Sequence, residues 1–102
     1  MTELEQEIFQ IITAAGDSKA KAFEALKQVK TGDFDKAKEL LEESRKLDLE
    51  AHKAQTKLIQ QEMDPDVEKP PLSLLVVHAQ DHYMTSQLAR DLIEALIDVF
   101  DK

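Results

Sequence analysis

The amino-acid sequence predicts an all-α fold: an antiparallel bundle of three helices, up-down-up, within a single domain over residues 1–102. Three observations carry this. Apolar residues recur three, four and seven apart over three long stretches, the period of one helical face. Two Gly and three Pro are too few for the turns of a many-stranded β fold. The join at Thr31-Gly32-Asp33 is so short that the helices it links must run antiparallel.

The first helix is expected over Thr2–Lys30. Thr2 and Glu5 have the spacing of a capping box. Leu4, Ile8, Ile11, Ala15, Ala22, Leu26 and Val29 form its apolar stripe. Gly16-Asp17-Ser18 interrupts the pattern, and because the stripe resumes in phase it reads as a kink. Gly32 suits a left-handed helix end and Asp33 an N-cap. The second helix follows over Phe34–Gln61, with Ala37, Leu40, Leu41, Ser44, Leu47, Ala51, Ala54 and Leu58 inward and a Lys/Glu-rich face in solvent. Met63–Pro71 holds all three prolines and reads as a loop. The third helix runs from about Leu72 to Phe100, its start set by Pro70-Pro71.

Composition excludes several functions. With 13 Lys+Arg against 21 Asp+Glu the net charge is −8, and the pI is near 4.8. A nucleic-acid binder needs the opposite balance, as does electrostatic attachment to an anionic membrane. There is no cysteine, hence no disulfide, thiolate metal site or cysteine nucleophile. No apolar run has transmembrane length and MTELEQEIFQ is not a signal peptide, so a cytoplasmic protein is expected.

The third helix carries the functional information. On a wheel, Leu88, Leu92, Leu96 and Val99 line one edge and Ala89, Ile93, Ile97 and Phe100 the next, leaving Arg90, Asp91, Glu94, Asp98 and Asp101 outward. The apolar arc of about 200° is wider than one core requires. Burial on two sides, by its own chain and by other copies, implies self-association. The stripe leads back to Thr85, His82, Asp81 and His78, where titratable groups continue an apolar face. In a symmetric oligomer Asp81 carboxylates would converge and need protonation or a cation. Hydrogen bonding within a bundle, a transition-metal site, and a nucleophilic histidine all fit this cluster. Neutral imidazole, with a pKa of ~6.5, keeps a lone pair free for attack on phosphorus. Spacing alone leaves these readings open.

The segment Ser73–Thr85, with His78-Ala79-Gln80-Asp81-His82-Tyr83-Met84-Thr85 at its core, resembles the hallmark HxQDHLMT of the lactose/cellobiose-specific IIA components of the bacterial sugar phosphotransferase system. Gly16-Asp17-Ser18-Lys19 with Ala22, Gly32-Asp33-Phe34 with Ala37, and Ala51-His52-Lys53-Ala54-Gln55-Thr56 resemble other stretches of that family. Tyr83, where Leu is usual, and the proline-rich loop Asp64–Pro71 depart from it. The resemblance implies a homotrimer, a nine-helix bundle, in which His78 accepts a phosphoryl group from the phosphohistidine of HPr and passes it to a cysteine of a cognate IIB protein. Asp81 matches a metal ligand, three copies of which meet a divalent cation, Mg2+, on the trimer axis. Gln80 and His82 match motif positions expected to hydrogen-bond the phosphoryl oxygens or hold the His78 tautomer. The sugars implied are lactose- and cellobiose-type β-disaccharides, with Ala79 the sole pointer toward cellobiose.

The competing expectation is a non-catalytic oligomeric bundle whose His/Asp cluster binds zinc; a third is a plain helical adaptor. His52 reads as a structural or surface histidine, and Met63 and Met84 as packing residues. Val77, Tyr83 and Met84 are expected to form an apolar rim around His78 that docks partner proteins.

Overall fold

The computed structural model describes residues 2–69 and 72–102. Three helices account for most of them: α1 (Glu3–Thr31), α2 (Phe34–Met63) and α3 (Leu74–Phe100), with no strand among the described residues. The bundle measures 53 × 22 × 19 Å.

Local chemistry sets the helix ends. Thr2 caps α1: its hydroxyl accepts from the Glu5 N–H at 3.1 Å, and the Glu5 carboxylate accepts from the Thr2 N–H at 3.4 Å. Gly32 ends α1 at φ 80°, a left-handed conformation that strains a residue bearing a Cβ. Asp33 then caps α2 by accepting from the Lys36 N–H at 3.1 Å. α2 runs two residues beyond the expected Gln61, to Met63, so Met63 belongs to the helix and not to the loop. The expectation that Pro70-Pro71 opens α3 falls on residues outside those described. The cap present is Ser73, whose hydroxyl accepts from the Val76 N–H at 3.2 Å, so α3 starts at Leu74 and not at Leu72. α1 passes through Gly16-Asp17-Ser18 without a break.

The core is built from small residues. Ala15, Ala22, Ala25, Ala37, Ala51 and Ala79 have no exposed surface, which lets helix backbones approach closely. One cluster gathers Ile8, Ile11, Leu58 and Tyr83 with surrounding alanines; a second holds Leu40, Leu41, Ile93 and Ile97. Between them α1 and α2 are joined by the buried pair Ser18 and Ser44, each hydroxyl donating to the other's backbone carbonyl at 2.8 Å. These bonds lock the helix at the very segment read as a kink.

α1 packs on both other helices, whereas α2 and α3 touch much less. Their seam is polar. Arg45 pairs with Glu94, Arg90 with Asp48, Ser86 donates to Asp48 at 3.2 Å, His52 Nδ1 lies 2.8 Å from the Tyr83 hydroxyl, and Gln55 and Gln80 bond each other. This corrects one sequence expectation. Arg90, expected outward, turns to α2 and pairs there with Asp48, which is 4% exposed. Glu94 reaches Arg45 of the same helix from a position still open to solvent. The Lys/Glu face of α2 is solvated, as expected. Buried charges persist only when paired, and here each has its partner.

Candidate functional site

His78, Asp81 and Thr85 stand one turn apart on α3, on the side turned away from the core, and all three are exposed. His82 sits half-buried beside them. The His78 and His82 rings meet edge to face with centroids 4.5 Å apart. An open pocket of about 440 Å³ lies against this turn, lined by Leu74, Leu75, Val77, His78 and Asp81. Its walls are mainly aliphatic, so His78 presents its imidazole at the edge of an apolar surface.

Two groups from outside the histidine motif shape this environment. The Thr85 hydroxyl donates back to the Asp81 carbonyl at 2.6 Å and accepts from the Lys19 ammonium of α1 at 3.4 Å. Burial pushes the His82 pKa below the ordinary imidazole value, and the nearby His78 and Lys19 charges act in the same direction against Asp81. Nδ1 of His82 is buried with no hydrogen-bond partner among the described residues. Burial and the neighbouring charges thus favour the neutral form of His82, which lies edge to face against the exposed His78 ring.

The remaining expected site residues go elsewhere. Gln80 is about 160° around the helix from His78, and its amide exchanges bonds of 2.6 and 2.7 Å with Gln55. Within one protomer it therefore does not face the His78 imidazole. Tyr83 is not part of a docking rim: it is buried in the core cluster, its hydroxyl on His52. Val77 and Met84 are exposed, as a rim requires. Among the described residues no three His, Asp or Glu side chains of one chain gather closely enough to hold a metal ion. Asp81 alone cannot hold one, and only convergence of several copies would fit a cation. Lys19 escaped notice as a neighbour of the site, because only the packing of α1 on α3 brings it there.

Below Thr85 the same outward face continues as Leu88, Leu92, Leu96 and Val99, 37–58% exposed. Together, fold and site define an all-helical protein that presents an exposed histidine at one end of an uncovered apolar stripe. The model of the lactose/cellobiose-specific IIA subunit of the phosphotransferase system matches residues 6–101. The N,N'-diacetylchitobiose-specific EIIA component of Escherichia coli (strain K12) is 48% identical over 100 residues, covering 98% of this chain and 84% of the relative. The crystal structure of the cellobiose-specific enzyme IIA from Bacillus anthracis superposes with a TM-score of 0.92 at 38% identity, covering 99% of this chain and 91% of that one. The IIA(chitobiose)–HPr complex of the diacetylchitobiose branch of the Escherichia coli phosphotransferase system gives 0.80 at 44% identity, covering 99% and 96%. The chain belongs to the lactose/cellobiose-specific IIA family and is a phosphotransferase component.

Proposed function

We propose that this protein is a cytoplasmic phosphocarrier in which His78 accepts a phosphoryl group from phosphorylated HPr and passes it to a cysteine of a cognate IIB protein. The observation that carries the reading is the exposure of His78 on a long helix, at the edge of an aliphatic pocket and against the half-buried ring of His82. The lone pair of the unprotonated His78 nitrogen forms the new P–N bond as the P–N bond of the donor histidine breaks. The leaving imidazole keeps that electron pair and takes up a proton, which balances the N–H proton that the phosphorylated His78 ring gives up. Such a transfer depends on in-line positioning more than on covalent machinery. That a IIA relative has been seen in complex with HPr supports the choice of donor.

The active form on this reading is a homotrimer closed through the outward stripe of α3. Exposed Leu88, Leu92, Leu96 and Val99 supply the contact, and Asp81, on the same stripe, is brought toward its copies. Three carboxylates would hold a divalent cation such as Mg2+, whose charge would offset their repulsion. The transported sugar is a β-disaccharide of the kind named for the relatives, which include diacetylchitobiose- and lactose-specific components. Among the described residues no helix is long and apolar enough to cross a membrane.

The relay is tested by incubating the protein with enzyme I, HPr, radiolabelled phosphoenolpyruvate and IIB proteins for chitobiose-, cellobiose- and lactose-type sugars. Label is expected on one IIB class and only when this chain is present. Label that stays on HPr in every mixture would contradict the carrier reading.

A further inference from the structure

The polar seam between α2 and α3 has a direction. Arg45, Asp48, His52 and Gln55 advance along α2 by three, four and three residues, so they share one face. Their partners descend along α3 as Glu94, Arg90, Tyr83 and Gln80, as an antiparallel pair requires. Only the Gln55–Gln80 rung reaches the end of α3 that carries His78. Among the described residues, no other side-chain hydrogen bond ties residues 74–82 to another helix.

Leu75, Val76 and Ala79 pack this end against the core, but apolar contact is non-directional and tolerates rotation. A reciprocal amide pair does not. Each amide must donate and accept at once, at 2.6 and 2.7 Å. A turn of α3 about its axis by one residue, about 100°, would carry the Gln80 amide off the α2 face and break both bonds.

We propose that Gln55 is a positioning residue for phosphoryl transfer: through its amide pair with Gln80 it sets the rotation of the first turns of α3, and so the direction of the His78 imidazole. Gln55 acts through the helix, since its partner stands on the far side of α3 from His78. The inference rests on His78 being the phosphoryl acceptor. It gives a task to the Gln of the Ala51–Thr56 segment, and a reason for Gln80 to be an amide although it points away from the histidine of its own chain.

The test is rapid-quench phosphorylation of the full chain by purified phospho-HPr, for wild type, Gln55→Ala and Gln55→Glu. Gln55→Ala removes both bonds and is expected to lower the maximal rate about tenfold, in line with the sensitivity of such transfers to small misplacements. The half-saturating phospho-HPr concentration should stay within about twofold, because no contact to the donor is lost. Gln55→Glu keeps an acceptor for the Gln80 amide and is expected to recover most of the rate. An unchanged maximal rate in Gln55→Ala overturns the inference. So does a loss confined to half-saturation, or one of equal size in both variants that follows a lowered thermal midpoint. If the underlying reading fails instead, wild type itself takes up no phosphoryl group, and the inference falls with it.

Discussion

The outward stripe of α3 changes chemistry half-way along. From His78 to Thr85 it carries imidazoles, a carboxylate and a hydroxyl; from Leu88 to Val99 it carries only aliphatic side chains, although both halves are open to solvent in the protomer. The inward face of the same helix is already complete, with Ile93 and Ile97 at 3% and 2% exposure. The aliphatic half therefore does not belong to the core of this chain. Contiguous apolar surface of this kind marks an interaction site. On the proposed reading the two halves divide the work: one brings copies together, and the other places the histidine motif at the edge of that contact.

The division can be broken from its aliphatic half first. Leu92→Lys places a charge where the proposed trimer has none to pair it, which costs on the order of 3–5 kcal/mol per buried charge. Light scattering should then give a protomer mass, with helical circular dichroism retained; a trimeric mass would show that the stripe does not form the contact. Ile97→Ala sharpens the contrast from the inward face. It should lower protomer stability by about 2–5 kcal/mol, whereas Leu92→Ala, at a site 56% exposed in the protomer, should barely change it. Chemical denaturation of both under conditions that keep the chains apart decides, and equal losses would erase the distinction between the faces.

The polar half is probed by Asp81→Leu. On the proposed trimer axis this removes converging negative charge, so the variant should stay assembled in a chelator that weakens the wild type. Sedimentation with and without chelator reads the difference, and identical behaviour of the two proteins speaks against an axial cation. The smallest effect concerns pH. Because folding lowers the His82 pKa from 6.5, the stability tied to its neutral form is complete above that value. It is lost as pH falls below 6.5 toward the lowered folded value. The thermal midpoint of wild type should therefore drop more than that of His82→Gln between neutral and mildly acidic pH. Parallel curves would mean that His82 is not held neutral.

Much of this molecule was legible in local signals. The Thr2–Glu5 capping box, the left-handed Gly32 and the Asp33 cap each act within a few residues, and they sit where the sequence places them. The width of the apolar arc on α3 also foretold that Leu88, Leu92 and Leu96 would be left over after the core was built. The α2–α3 seam was not legible. A helical wheel sorts residues into faces but does not say which helix a face meets, so Arg90 and Glu94 read as solvated. In a narrow bundle each helix has two neighbours, and the second contact of α3 is made by paired polar groups. Tyr83 was misread for the related reason that an aromatic next to His82 in sequence lies about 100° from it in space. Ser73 was overshadowed as a cap by the prolines before it.

The most direct test of the account is intact-mass spectrometry at neutral to mildly alkaline pH, where phosphohistidine survives. Wild type and His78→Ala are incubated side by side with enzyme I, HPr and phosphoenolpyruvate. The account predicts one added phosphoryl group per chain in wild type and none in the variant. A group that still appears on His78→Ala, or none on wild type beside visibly phosphorylated HPr, would contradict it.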